Sequence, residues 1–544
     1  MPFFSRFIPL LLLLHAFLFG LDTSIAFGTN TDPSSDLGFV NPPSHSCQGS
    51  QQAARHNQGS SKSRANINTC TASAVMPAGN SADPVMAGCG LPISRIGYGT
   101  YRIGLNNAEQ AESLREALLH GINVIDTSAN YGNGEAEECI GQVVRELMQE
   151  GKLKREDILL VSKVGYIQGQ NMDRYLAGTV RTPDTVEVAS YLGHCIHPAF
   201  IQDQLGRSLA RLGMPSLDVF LLHNPEYYLT HNVPAQAGVI SAEDLQTHRD
   251  EMDRRLLEAF KALEGEIASG QGRIRSYGIS SNSFSLPPEH PHFLRYDHLA
   301  AMAMEAAKAV SPEAQVHHFS TIQLPANLLE QEGLHRAVQW AARTSLTVLI
   351  NRPLNAFDDR MSLRLAEYPD SRPAYHHARD ALLQYIDAQK TALSGHEKDG
   401  YTLFQEEVEG IDAALAQKDL HSVLAWEGIS SRMVMPMLRR GLEATARPDK
   451  TFDAEGMRLA QEYLRACERL VSYLSGIHAR EEIEKTLGFG PIPAEKSLQE
   501  FAIEFLLEHA GVSTVLLGCR NTRYVRDAIK INDKHPSVHR FLPR

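Results

Sequence analysis

From Leu91 onward the chain alternates between two hydrophobic periods. Short apolar runs rich in β-branched residues recur, each followed by a stretch with apolar positions three and four apart. The runs are Ser94–Gly99, Ile122–Asp126, Ile158–Lys163, Leu217–His223, Ile274–Ser280, Ser320–Leu324, Leu346–Asn351 and Ser513–Gly518. Several are apolar almost throughout, as strands covered on both faces are. Between them, Ala108–His120 lines up Ala111, Leu114, Ala117 and Leu118 at helical spacing, and Phe200–Leu212 lines up Ile201, Leu205, Leu209 and Leu212. Eight strand–helix units predict an α/β fold, a closed (β/α)8 TIM barrel. A doubly wound dinucleotide-binding sheet would show GxGxxG after its first strand, and none is present.

The spacing breaks once. Strands seven and eight are separated by a long stretch, 357–494, whose pattern is mostly helical. Within it, Phe452–Leu474 presents Met457, Leu459, Tyr463, Leu464, Cys467, Leu470, Val471 and Leu474, a wide apolar face, with Asp453 placed to cap the helix. The expectation is an α-helical insertion between strands 7 and 8, on the βα side of the barrel or beside it, as a structural cover or a substrate lid. A lesser insertion, Glu226–His248, follows strand four.

The first part of the chain reads differently. Residues 1–26 hold a short apolar run after Arg6, too short to span a bilayer, ending in small residues: the pattern of a signal peptide. Residues 27–85 are rich in Ser, Asn, Gln and Pro, with no acid between Asp36 and Asp83, the composition of a disordered, transit-like segment. Together they predict delivery to a plastid by bipartite targeting, with the secretory pathway as the alternative, and a folded body over 86–544. The formal net charge of -12 disfavours nucleic acid as a partner. No membrane association is expected of the mature protein, and the oligomeric state is not legible. Seven cysteines without a CxxC pair suit a reducing compartment rather than a disulfide scaffold.

The C-terminal ends of barrel strands are where such folds carry chemistry. Asp126, Lys163 and His223 end three different apolar runs, and Tyr131 follows Asp126 by five residues. Singly, each has a plain structural explanation: a cap, a solvated amine, a hydrogen-bonded histidine. Together they form an acid–base device. A lysine ammonium beside a tyrosine favours its phenolate, and a buried lysine needs a counter-charge, which Asp126 supplies. A tyrosine so placed can exchange a proton with a carbonyl oxygen, and His223 can hydrogen-bond the same oxygen. That suits carbonyl/alcohol interconversion with hydride from a cofactor.

At this point the chain resembles the aldo-keto reductase superfamily, from about Leu91 to Lys530 outside the two insertions. The carriers are IGYGTYRIG, GINVIDTSANYGNGEAEECIG, LLVSKVGY, LDVFLLHNP, GRIRSYGISSNSF and STVLLGCRNTRYVRDAI. The resemblance implies an NAD(P)H-dependent oxidoreductase acting on a small-molecule carbonyl: an aldehyde, ketone or sugar. Its catalytic tetrad would be Asp126, Tyr131, Lys163 and His223, with Tyr131 as general acid/base. For the nicotinamide carboxamide it implies Ser280 or Ser281, Asn282 and Gln323. The family's stacking aromatic after strand seven is replaced by Asn351-Arg352, and Arg352 becomes a candidate for the pyrophosphate. Gly518 and Arg520 would approach the phosphates. With Arg520, Arg523 and Arg526 present and no evident acid for a ribose hydroxyl, the expected cofactor is NADP(H), with NAD(H) as the alternative. Tyr101 is expected at the wall of the substrate mouth or in the core, and Trp340 and Trp426 in packing. Rival readings are a cofactor-bound barrel with a regulatory or scaffolding role, as in the family's potassium-channel β subunits, an NAD-dependent aldose dehydrogenase, and a metal-dependent hydrolase using His194 and His197.

Overall fold

The computed structural model describes residues 90–544, apart from 180–181, 237, 358–360, 447–452, 487–490, 538 and 542–544. The targeting segments expected over 1–26 and 27–85 lie outside the described residues. Eight parallel strands close into a barrel: β1 (Ile96–Gly99), β2 (Val124–Asp126), β3 (Leu159–Val164), β4 (Leu217–His223), β5 (Ile274–Ser280), β6 (Phe319–Pro325), β7 (Thr347–Asn351) and β8 (Thr514–Leu517). Each pairs with its neighbour in sequence, and β8 closes on β1 through Val515 opposite Ile96. Every expected strand is present, two with the expected bounds and the rest shifted by a residue or two at one or both ends.

The near-continuous apolar runs follow from burial on both sides. Val219 and Leu221 of β4 belong to the barrel interior with Val124, Val161 and Leu349, while Phe220 and Leu222 pack outward under the helices. This period-two alternation fixes what stands at the mouth. Two residues beyond Val124, Val161, Leu221 and Leu349, on the same inward parity, come Asp126, Lys163, His223 and Asn351. Ile279 and Ile322 face outward, which puts Ser280 and Gln323 on the inward side beside them. One inward layer at the C-terminal rim therefore collects polar residues from six strands. At the opposite end Leu91–Pro92 pairs antiparallel with Arg540–Phe541, and the buried Phe541 joins Ile93 in the interior cluster.

The stretch after β7 is helical as expected, but it opens with a β-hairpin, Asn355–Phe357 against Ser362–Arg364. Helices Arg372–Ala392, His396–Leu415, Met435–Ala444 and Ala454–Thr486 then enclose a core of their own around Leu382, Phe404, Val408, Ile411, Tyr463 and Val471. Asp453 does cap the long helix, accepting from the Gly456 amide at 2.9 Å. Leu498–Glu508 returns as the last helix before β8. The insertion is tied to the barrel through Leu328, Leu363, Leu365, Ile483 and Leu498, and through Arg480, which pairs with Glu367 and donates to the carbonyl of Ile492. Because it leaves from the end of β7, it lies on the mouth side. Among the described residues no helix is long and apolar enough to cross a membrane.

One element is absent from the sequence reading. After β3 the chain forms a small antiparallel sheet of Tyr166–Ile167, Val186–Ala189 and Leu192–His194. Its strands are two to four residues long, too short for alternation to register. His194, one of the two histidines of the rival metal reading, therefore ends a strand, and His197 follows it.

Candidate active site

Lys163 is fully buried at the end of β3, and its ammonium has three hydrogen atoms to place. Nζ donates to Asp126 Oδ2 at 2.8 Å, to the Thr127 carbonyl at 2.9 Å and to the Tyr131 hydroxyl oxygen at 3.1 Å. All three are thereby used. Burial alone would pull the lysine down, but the Asp126 charge, Tyr131 and their hydrogen bonds outweigh it and hold the amine above its ordinary range. Lys163 is thus a fixed cation. Asp126 completes its own coordination by accepting at Oδ1 from Gln323 Nε2, 2.7 Å away on β6. The tyrosine accepts from the ammonium, so its own proton cannot go there.

Tyr131 reaches this lysine because the chain reverses immediately after it. Gly132, Asn133 and Gly134 all have positive φ (54°, 56° and 99°), and helix Glu135–Gln149 starts directly behind them. Glycine and asparagine are the residues that take up such a run without strain. Tyr101 stands edge-on to Tyr131, ring centroids 5.2 Å apart, and remains 46% exposed, so of its two expected places it occupies the wall of the mouth.

His223 closes the other side, its ring 6.1 Å from that of Tyr131. Burial, then the Lys163 charge, then His194 push it well below the ordinary histidine range, so the imidazole is neutral and carries a single N–H. Ser128 Oγ lies 3.1 Å from Nδ1 and also 2.7 Å from Asn130 Oδ1. A hydroxyl has one hydrogen to give. Given to His223, it leaves the other ring nitrogen a donor, as a carbonyl oxygen requires; given to Asn130, it leaves that nitrogen an acceptor, as an alcohol requires. Ser128 was not among the residues expected at the site, and only its position two residues after Asp126 hinted at it.

The residues expected around a carboxamide separate into two groups. Ser280 donates to Gln323 Oε1 at 2.9 Å, and Asn351 Nδ2 approaches the same oxygen at 3.3 Å. Ser281 is buried and its hydroxyl accepts from the Ser283 amide, whereas Asn282 is exposed. Both amides that follow, Asn282 and Ser283, donate to Glu226 Oε1 at 2.9 and 3.4 Å, so the carboxylate of β4's loop holds the loop of β5. Glu226 Oε2 and Asn351 Oδ1 are buried acceptors without a partner among the described residues. Arg352, placed at the pyrophosphate from sequence, sits at φ 52°, pairs with Glu330 at 2.7 Å and lies over the Phe357 ring. Gly518 and Arg520 are exposed just before helix Thr522–Lys534, whose first turn is capped by Asn521. Of the neighbouring arginines, Arg526 is paired with Glu116 at 2.8 Å.

Burial raises Glu226 from the ordinary 4.5 to about 7, against the hydrogen bonds it accepts. The fold thus keeps a proton that the unfolded chain releases near 4.5, and stability falls as pH rises through that window. The difference corresponds to about 3 kcal/mol at alkaline pH. Glu226→Gln, which keeps the Oε1 acceptor and has no charge to bury, should lose this dependence. Melting temperatures at pH 5 and pH 8 check it: the variant's advantage over the parent should widen at the higher pH, and a constant gap would contradict the burial argument.

Residues 95–287, which span β1 to β5 and include Asp126, Tyr131, Lys163 and His223, match the model of the Aldo/keto reductase family. Over that stretch the chain is similar to the aldo-keto reductases. It is 25% identical over 271 residues to the aldo-keto reductase YhdN of Bacillus subtilis, covering 49% of this chain and 60% of that protein. It is 27% identical over 209 residues to an NAD(P)H-dependent D-xylose reductase of Kluyveromyces lactis, covering 38% and 53%. It is 26% identical over 209 residues to a D-threo-aldose 1-dehydrogenase of a Pseudomonas species, covering 37% and 54%. The chain spans about half the length of the curated relatives it matches. The barrel carries added elements after β3, a three-stranded sheet, and after β7, the far larger helical insertion. Among the described residues no group of three or more His, Cys, Asp or Glu side chains is placed to hold a metal.

Proposed function

We propose that the barrel catalyses the NAD(P)H-dependent interconversion of a small carbonyl compound and its alcohol, with Tyr131 as general acid/base. The observation that carries this reading is the fully satisfied Lys163 ammonium holding the Tyr131 hydroxyl at 3.1 Å. A fixed cation at that distance stabilises the phenolate left when Tyr131 gives its proton to a carbonyl oxygen; in the reverse direction that phenolate takes the hydroxyl proton of the alcohol. Asp126 neutralises the buried lysine and keeps it aimed. His223, neutral, hydrogen-bonds the reacting oxygen through the tautomer that Ser128 selects.

The residues present fit a nicotinamide cofactor. Ser280, Ser281, Asn282 and Gln323 stand at one edge of the mouth, and the unpartnered Asn351 Oδ1 beside Gln323 is an acceptor of the kind a carboxamide N–H completes. When bound, the cofactor supplies the hydride. Gly518 and the exposed Arg520 would hold its phosphate end, and Arg520 with Arg523 favours NADP(H) over NAD(H). Arg352, already paired with Glu330, has the weaker claim. The D-xylose reductase and aldose dehydrogenase names of two relatives make sugars and short hydroxyaldehydes the first substrates to try.

Fluorescence titration of the barrel with NADPH and NADH tests the cofactor assignment. Tight NADPH and weak NADH binding, with Arg520→Ala weakening NADPH about tenfold, is the expected result. Binding of neither would remove the reading.

A further inference from the structure

The small sheet after β3 has no role in the chemistry above, yet it ends on a buried histidine under the reacting one. His194, the last residue of Leu192–His194, is 2% exposed, and its Nε2 lies 2.7 Å from the backbone carbonyl oxygen of His223. A carbonyl only accepts, so Nε2 carries the hydrogen and the tautomer of His194 is fixed. Burial lowers this histidine to about 4, so it is neutral in the working range and transfers no proton there.

The approach requires Gly165. A Cβ at that position would fall 2.5 Å from His194 Nε2 and 2.6 Å from the His223 carbonyl oxygen, closer than atoms pack. Gly165 also accepts at its own carbonyl from the Cys195 amide at 2.8 Å, which registers the small sheet against the end of β3. The His194 ring is stacked on Tyr227, centroids 5.1 Å apart and 11° from parallel, and Tyr166 stands edge-on to both histidines, 5.7 Å from His194 and 4.7 Å from His223. The Tyr166 hydroxyl accepts from Asn224 Nδ2 at 2.7 Å, and the Asn224 amide donates to the Ser280 carbonyl at 2.7 Å. Asn224 itself is left-handed, at φ 50°. The turn that carries His223 out of β4 is therefore gripped on its backbone by His194, on its side chain by Tyr166, and from the far side by β5.

We propose that His194 is a positioning residue for His223, and that the three-stranded sheet after β3 exists to deliver it. This rests on the carbonyl-reductase reading of the same site. The main chain at His223 has one carbonyl to fix the angle of its ring, and His194 occupies that carbonyl from the small sheet. Without the contact the imidazole is still present but samples orientations that do not meet the reacting oxygen, which lowers turnover without touching the cofactor.

The test compares wild type, His194→Ala, His194→Gln and Gly165→Ala in steady-state NADPH oxidation with D-xylose and a series of short aldehydes. Rates are expressed per NADPH-binding site, so unfolded protein does not count. His194→Ala should lower kcat by about tenfold or more, with NADPH affinity unchanged within about twofold. His194→Gln, which can donate an N–H to the same carbonyl, should recover most of that loss. Gly165→Ala, which wedges the two histidines apart while leaving both in place, should resemble His194→Ala. A His194→Ala protein that binds NADPH and turns over like wild type would overturn the proposal, as would a glutamine variant no better than alanine. Wild type that oxidises NADPH with none of the carbonyls would instead overturn the functional reading on which the proposal stands.

Discussion

Tyr131→Phe should lower carbonyl turnover about 10³-fold while leaving NADPH affinity nearly unchanged. The variant keeps the aromatic ring, and hence the edge-on contact with Tyr101, and removes only the oxygen that Lys163 holds at 3.1 Å. With that oxygen gone, no other described side chain meets Lys163 from the mouth, since its two remaining hydrogen bonds go to Asp126 and the Thr127 carbonyl. Steady-state rates together with a fluorescence titration separate the two effects. Turnover within about threefold of wild type would mean that the proton comes from elsewhere.

The second large effect falls on stability as well as rate. Lys163→Met preserves the length of the side chain and removes the cation from a site with no exposure. Asp126 would then be a carboxylate 4% exposed with one partner, Gln323, left of two. Breaking a buried ion pair from one side costs about 3–5 kcal/mol, because the other charge stays desolvated. Denaturant unfolding should therefore show a loss of that size, together with loss of turnover. Adding Asp126→Asn removes the stranded charge and should restore part of the stability but none of the activity. A double variant no more stable than the single one would show that lost packing, not the uncompensated carboxylate, is the main cost.

The barrel was legible because burial on both faces leaves a plain mark: eight apolar runs, each ending near the rim. The polar cluster at the mouth is legible for the same reason, since Asp126, Lys163 and His223 interrupt those runs at the position where inward parity meets solvent. What escaped lies in contacts between distant short segments. The strand Leu192–His194 is three residues long, and nothing in its spacing says that it pairs with Tyr166–Ile167. Glu226 gave no signal either: it was the boundary of an insertion, while in the fold its Oε1 accepts from two amides of the next βα loop. Arg352 shows the converse. Its position after β7 suggested an anion, but Glu330, twenty-two residues earlier in the chain, reaches it first. The helical character of the stretch after β7 shows in its period, and its opening hairpin does not, because Asn355–Phe357 and Ser362–Arg364 are too short to alternate.

The proposed reaction is hydride transfer to a carbonyl with Tyr131 supplying the proton. A single-turnover mixing experiment tests it most directly, with NADPH deuterated at the nicotinamide C4 and a short aldehyde in excess over the protein. One deuterium on the carbinol carbon of the product alcohol per protein molecule is expected, formed rapidly by wild type and about 10³-fold more slowly by Tyr131→Phe. Bound NADPH that is never consumed, or an equal rate in both proteins, would contradict it.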